Sequence, residues 1–375
     1  MTKTATKAPF RADVVGSYLR PQVLKEARER YQKGEISKED LRLIEDTEIA
    51  KLVEKQKDTG LQVVTDGEFR RKYWHADFIS AIDGIHSFEV EVPGFFQGEM
   101  KTLTSYTVGS ALKFPENHPF LDHFRYLNSI AGDHTAKITI PGPNMIFHSG
   151  VVSSQPYLDN PAYPSFEAVA KDIAKVYQDA IQAFYDAGCR YLQFDDTSWG
   201  AFLSEKFRAK IEANGWNIHE LMKLFADITI EALTNKPDDM VITLHVCRGN
   251  FKSSWLYEGD YEAISKELFS RVPVDAFFLE FDDERSGDFT PLRYIKDQQV
   301  VLGLITSKTA ELEDPEDVKI RVAQAAEYVD LEQLCLSPQC GFASTEEGNL
   351  ITEEEQWAKV RHVVEIAHDI WDEQD

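Results

Sequence analysis

Eight short apolar runs recur along the chain, and most are followed by a segment of helical pattern. They begin at Ala12, Leu61, His134, Tyr191, Val241, Ala276, Val300 and Gln333. A run such as Val300-Val301-Leu302-Gly303-Leu304-Ile305 lacks polar alternation. A strand built from it is covered on both faces, as in a parallel sheet. Helical periodicity marks Pro21 to Lys33, Lys38 to Thr59, Ser165 to Ala187, 201 to 235, Tyr261 to Ser270, Pro315 to Tyr328 and Thr352 to Trp371. Gly60 stops the second of these. Eight such units predict an α/β fold, a (β/α)8 TIM barrel, as one catalytic domain over residues 1–375. One stretch breaks the rhythm. Phe88 to Val92 and Lys101 to Val108 alternate around a Gly/Pro-rich tip, which predicts a β-hairpin inserted after the second strand, at about 86–115. Such an insertion serves either as a lid or as a dimer contact, and oligomeric state stays open.

The net charge of −24 argues against nucleic acid, whose recognition needs a basic footprint, and against an anionic membrane surface. No apolar run approaches the ~18 residues that span a bilayer. Met1 to Pro9 lacks the apolar centre of a secretory signal. Four cysteines in 375 residues are too few for a disulfide framework. The expectation is a reducing, cytoplasmic setting, in which cysteine chemistry means metal or catalysis.

Polar residues gather where the strands end. Ser17, Glu68, Asp195, His245, Glu280 and Cys340 each sit at or just past a strand's C-terminal end, the face on which barrels of this kind carry their active sites. The alternative is that strand ends are polar because they meet solvent. Side chains two apart on a strand point the same way, so His245 and Cys247 project together. Imidazole and thiolate suit Zn2+. With Glu280 and Cys340 they make a four-coordinate set able to exchange a ligand. Cys335, inside a strand, and Cys189, at the opposite end of the barrel, read as small buried hydrophobes.

Several motifs together resemble one family. Gly16-Ser17, Asp66-Gly67-Glu68-Phe69, Pro141-Gly142-Pro143, Leu192-Gln193-Phe194-Asp195-Asp196, His245-Val246-Cys247, Leu279-Glu280 and Ser337-Pro338-Gln339-Cys340-Gly341 stand in the order seen in the cobalamin-independent methionine synthases. The likeness is to the C-terminal catalytic barrel and covers roughly residues 10 to 370, without the additional N-terminal barrel of the long members. It implies that His245, Cys247, Glu280 and Cys340 hold zinc and that Ser17, Glu68 and Asp195 hold homocysteine. It further implies methyl transfer to the homocysteine thiol, from 5-methyltetrahydrofolate or its polyglutamate, to give methionine. For Glu68, within a charged Glu-Phe-Arg-Arg-Lys run, a solvated loop carboxylate is the alternative.

The departures concern the donor half. The family's folate-stacking tryptophan after Gly-Pro is replaced by Asn144-Met145-Ile146-Phe147-His148-Ser149. Asp196-Thr197 stands where the family has Glu-Pro. The histidine after the seventh strand gives way to Thr306-Ser307-Lys308-Thr309, where Lys308 is a candidate for moving a proton and Asp196 a second catalytic candidate. Trp74, His75, Phe147 and His148 are candidates for a donor pocket, or else aromatics packed over the rim. A rival reading keeps zinc and the barrel but takes another thiol, such as coenzyme M, as do alkyltransferases of the uroporphyrinogen decarboxylase superfamily. A structural zinc, or a metal hydrolase, is a third, disfavoured because two thiolates weaken the metal as a Lewis acid.

Overall fold

The structure, a computed structural model, describes residues 8–96, 100–153 and 162–371. Its centre is a curled parallel sheet of seven strands. They are β1 (Val63–Val64), β4 (Thr135–Pro141), β5 (Tyr191–Asp196), β6 (Val241–Val246), β7 (Ala276–Glu280), β8 (Gln299–Ile305) and β9 (Leu334–Pro338), in that spatial order. Between β1 and β4 in the chain, β2 (Asp83–Phe95) and β3 (Met100–Lys113) pair antiparallel with each other. Phe88 stands opposite Ser105 and Glu91 opposite Thr102. The centre of the expected tip, residues 97–99, lies outside the described residues, as do residues 1–7 of the N-terminal segment.

The longer helices cover the sheet by turning apolar stripes to it. Phe166–Asp186 buries Val169, Ile173, Val176, Tyr177, Ala180 and Phe184. Lys38–Asp58 begins at a capping box formed by Ser37 and Asp40. The expected helical stretch 201–235 is three helices, Ser198–Leu203, Glu205–Ala213 and Ile218–Ala232. Pro119–Ile130 is a helix absent from the pattern read above, although Pro119 in its first turn and buried Phe120, Phe124 and Leu127 on one face are helix signals. No helix among the described residues is long and apolar enough to cross a membrane.

The expected first strand, Ala12 to Tyr18, departs from the prediction. It makes only single parallel bridges, Ala12 to Leu336 on β9 and Ser17 to Gly67 just past β1. The reason lies in its carbonyls, several of which are taken by buried side chains instead of a neighbouring strand. Lys137 Nζ donates to Val14 O at 2.6 Å, Gln193 Nε2 to Val15 O at 2.8 Å and Thr65 Oγ1 to Gly16 O at 2.7 Å.

That segment also carries the deepest charge pair. Lys137 Nζ meets Asp13 Oδ1 at 3.0 Å with both side chains fully buried. Tyr191 Oη donates to Asp13 Oδ2 at 2.9 Å, and the ammonium lies 4.2 Å from the centre of the Phe278 ring. Removing one partner of such a pair strands a charge in the core, whereas removing both does not. Lys137→Met is therefore expected to lower unfolding free energy by about 3–5 kcal/mol in urea titrations. The double variant Lys137→Met/Asp13→Asn is expected to lose less than that single variant.

Candidate metal centre

Register places the first ligands. In the β5–β6 ladder Asp195 stands opposite His245 and Asp196 opposite Val246. Cys247 extends the ladder one step, its amide donating to Asp196 O at 2.9 Å. Glu280 is the last residue of β7. Cys340 lies past β9, on a turn that can come close because two glycines leave room. A Cβ on Gly303 would sit 2.6 Å from Gln339 Cα, and one on Gly341 would sit 2.0 Å from Ser17 Oγ.

His245, Cys247, Glu280 and Cys340 are all buried, and their ligand atoms lie within 4.8 Å of one another. The two sulfurs are 3.6 Å apart. Two thiolates at about 2.3 Å from a tetrahedral zinc are separated by about 3.8 Å, so the spacing fits. His245 Nε2 and Glu280 Oε1 are 4.0 Å apart. His245 Nδ1 is 3.3 Å from Phe278 O, which favours the proton on Nδ1 and turns Nε2 to the cluster. There Nε2 is buried with no hydrogen-bond partner in the protein. An orphaned imidazole nitrogen facing two sulfurs and a carboxylate is what a metal ion would complete.

Without metal the four groups titrate against one another. The hydrogen bond from Cys247 holds the Cys340 thiol well below the usual thiol range, against burial. The same contact, with burial, pushes Cys247 well above it. Burial lowers His245, but the adjoining Cys340 and the charges of Asp195 and Glu280 outweigh it, so the imidazole rises to about 9. Glu280 is raised, first by burial and then by Cys340. Outer partners hold it in place. Arg248 N donates to Oε1 at 2.7 Å and Arg285 Nη2 to Oε2 at 3.3 Å.

Ser17, Glu68 and Asp195 line one small cavity with His245, Cys247, Cys340 and Trp74. Its volume is about 20 Å³, room for about one water. A larger hollow of about 460 Å³, between Pro9–Ala12 and the C-terminal helix, holds none of these residues. Glu68 is 3% exposed and takes a left-handed φ of 60°. That conformation is costly for a side-chain-bearing residue. Glu68 Oε1 accepts from Thr139 Oγ1 at 2.8 Å, and Oε2 has no partner. Asp195 Oδ1 accepts from Gln193 Nε2 at 2.7 Å, and burial pushes its carboxyl up to about 7. Ser17 Oγ accepts from Ala343 N at 3.2 Å.

The other sequence candidates scatter. Lys308 is buried, and its Nζ donates to Asn250 Oδ1 at 3.2 Å. Trp74 lines the cavity, and His75 stands edge-on to it, ring centres 4.8 Å apart. Phe147 is fully buried in an aromatic cluster with Phe166, Trp216 and Phe225, and His148 is edge-on to Phe225. The structure does not bring those two to the cavity. Asp196 points to the helix Ser198–Leu203, where Oδ1 accepts from Ser198 N at 2.7 Å. Sequence reasoning missed Asn250, Arg285 and Gln193, which act only through contacts made in the fold. For Asn250 the one available signal was the turn glycine before it, Gly249, at φ 87°.

Residues 10–369 match the profile of the cobalamin-independent synthase catalytic domain. The chain belongs to that family. Relatives within reach include the uncharacterized protein YxjG of Bacillus subtilis, 52% identical over 97% of this chain and 96% of that one. A methionine synthase of Sulfolobus acidocaldarius is 24% identical over 88% of this chain and 84% of that one. Among solved structures, one from Listeria monocytogenes named for the vitamin-B12-independent methionine synthases is 44% identical. It covers 97% of this chain and 98% of that one, with a TM-score of 0.77. A B12-independent methionine synthase from Shewanella, solved with selenomethionine, shares the fold at a TM-score of 0.72 and 18% identity over 97% of this chain and 98% of that one.

Asp196 yields a pH signature. Burial raises it from 3.8 to about 6. Between those values the folded chain keeps a proton that the unfolded chain has released, so stability falls as pH rises through that window and is level above it. The full span is about 3 kcal/mol. Asp196→Asn is expected to remove that fall, seen as a flatter urea midpoint against pH than wild type shows.

Proposed function

We propose that this chain is a zinc-dependent methyltransferase that activates the thiol of homocysteine and yields methionine. The reading includes one catalytic domain over residues 1–375, with the bridging segment Ala12–Tyr18 as an eighth strand closing a (β/α)8 barrel, and a cytoplasmic setting. All four cysteines are free, as a reducing compartment requires. The carrying observation is the convergence of His245, Cys247, Glu280 and Cys340 within 4.8 Å, beside a cavity lined by Ser17, Glu68 and Asp195.

His245, Cys247, Glu280 and Cys340 would hold a zinc ion, which would supply the Lewis acidity to keep an added thiol deprotonated at neutral pH. The remaining work belongs to the protein. Glu68 Oε2, buried and unpartnered, is an acceptor for the substrate's ammonium group. Asp195 offers a second carboxylate on the same cavity, and an incoming cation would favour its ionised form. Ser17 accepts from the Ala343 amide and keeps its own hydroxyl proton to donate to a carboxylate. The site is buried, with Val15 and Trp74 among its lining, and burial limits water around the nucleophile. In this reading Lys308, buried and held by Asn250, returns a proton to the departing donor. Asp196, turned toward its helix, acts as a cap in this reading.

The donor is a 5-methyltetrahydrofolate or its polyglutamate, with Trp74, which lines the cavity, and His75, edge-on to it, as its contacts. The partners are thus two small molecules, with neither nucleic acid nor membrane involved. Zinc should be stoichiometric in the purified protein and lost from Cys340→Ser and His245→Ala. Zinc-edge absorption should gain one sulfur neighbour on adding homocysteine. Glu68→Gln and Asp195→Asn should each weaken homocysteine about 10- to 100-fold, the cost of one charged hydrogen bond in a buried site. Unchanged affinity in both variants, or entry of a sulfonate thiol such as coenzyme M in preference, would move the assignment to a different acceptor.

A further inference from the structure

Asn250 stands where three parts of the site meet. Its Nδ2 donates to Gly341 O at 2.8 Å and to Ser344 Oγ at 3.1 Å, both on the turn that carries Cys340. Its Oδ1 accepts from Lys308 Nζ at 3.2 Å. Two donors and one acceptor are therefore used, and the amide has one sensible orientation. The Lys308 side of the bridge is tied to the same turn. Ser307 Oγ donates to the same Gly341 carbonyl at 3.1 Å, and Asn349 Nδ2 holds Ser307 O at 2.9 Å.

Charge shows what such a bridge does. Two thiolates and a carboxylate bring three negative charges to a metal of two positive, so the loaded set is already anionic. A further thiolate makes it more so in a buried setting, where charge is expensive. Arg285 is committed to Glu280, Asp282 and Asp283. The acceptor that holds Lys308 is neutral, so its ammonium is not cancelled there. Through Asn250 that ammonium is tied to Gly341, the residue next to Cys340.

We infer that Asn250 is a positioning residue, which fixes the Lys308 ammonium against the Cys340 turn so that its charge offsets that of an incoming thiolate. This rests on the zinc and homocysteine reading above. The test uses the full chain loaded with Co2+ and follows the thiolate-to-cobalt absorption on titration with homocysteine. Metal content is measured alongside, and is expected to stay stoichiometric in every variant because no ligand is touched. Asn250→Ala and Lys308→Met should each weaken homocysteine about tenfold, the scale of an outer partner's loss. The double variant should bind no more weakly than Lys308→Met alone, because Asn250 acts through Lys308. Wild-type affinity in Asn250→Ala, multiplied losses in the double variant, or metal loss in Asn250→Ala would each overturn the inference. If Asn250→Ala lacks the wild-type unfolding transition, Asn250→Asp takes its place. It keeps an acceptor for Lys308 but neutralises the ammonium, so it should bind as weakly as Lys308→Met, and wild-type binding would overturn the inference. Failure of the underlying function looks different: wild-type Co2+ protein whose spectrum ignores homocysteine.

Discussion

Backbone register in the parallel ladder is the constraint on which the site depends. Asp195 faces His245 across β5 and β6, and Glu280 pairs with Gly303 across β7 and β8. A one-residue slip on any of these strands would turn its ligand to the helix side of the sheet. The register is held by apolar strand residues buried on both faces, so the energy that places the ligands is largely hydrophobic burial. The glycines matter for the same reason. Without close approach at Gly303 and Gly341, the turn carrying Cys340 would stand off from the sulfur of Cys247.

Much polarity is buried beneath this rim. Asp13, Lys137, Tyr191, Gln193 and Asp195 form a polar column inside the sheet in two bonded groups, Asp13 with Lys137 and Tyr191, and Gln193 with Asp195. Each member finds a partner, which is what allows charge so deep in a core. The same column takes the carbonyls of residues 14 and 15, so the segment that spans the two sheet edges is held by side chains as well as by ladder bonds. Around the candidate metal centre the logic repeats one layer out. Phe278 O orients His245, and Arg248 and Arg285 hold the two oxygens of Glu280. These partners decide which atom of each ligand faces inward.

Much of the layout was legible because period and residue type carry it. A continuous apolar run followed by a helical stripe implies a covered parallel strand, and β4 to β9 lie where those runs are. His245 and Cys247 share a face by strand geometry alone. Other features were not legible, for identifiable reasons. Phe147 and His148 follow a Gly-Pro motif at a strand end, yet the turn there is helical and rolls both into an aromatic cluster. Asp196 looks like its neighbour in the chain, but alternation sends it to the opposite face, where it caps a helix. The helix Pro119–Ile130 did carry local signals, Pro119 in its first turn and Phe120, Phe124 and Leu127 on one face, and it was missed although they were there.

By itself the sequence determined the class of fold, the side of the sheet on which chemistry gathers, and four ligand types that suit one borderline metal. Those follow from local periodicity and from the chemistry of single side chains. Only the tertiary structure decided the distances that make the ligands a set, the left-handed turn that aims Glu68 inward, and the union of Asn250, Lys308 and the Cys340 turn. These join residues as many as 95 positions apart in the chain, as His245 and Cys340 are. No local pattern encodes such contacts, because they exist only once burial has drawn the strand ends around one mouth.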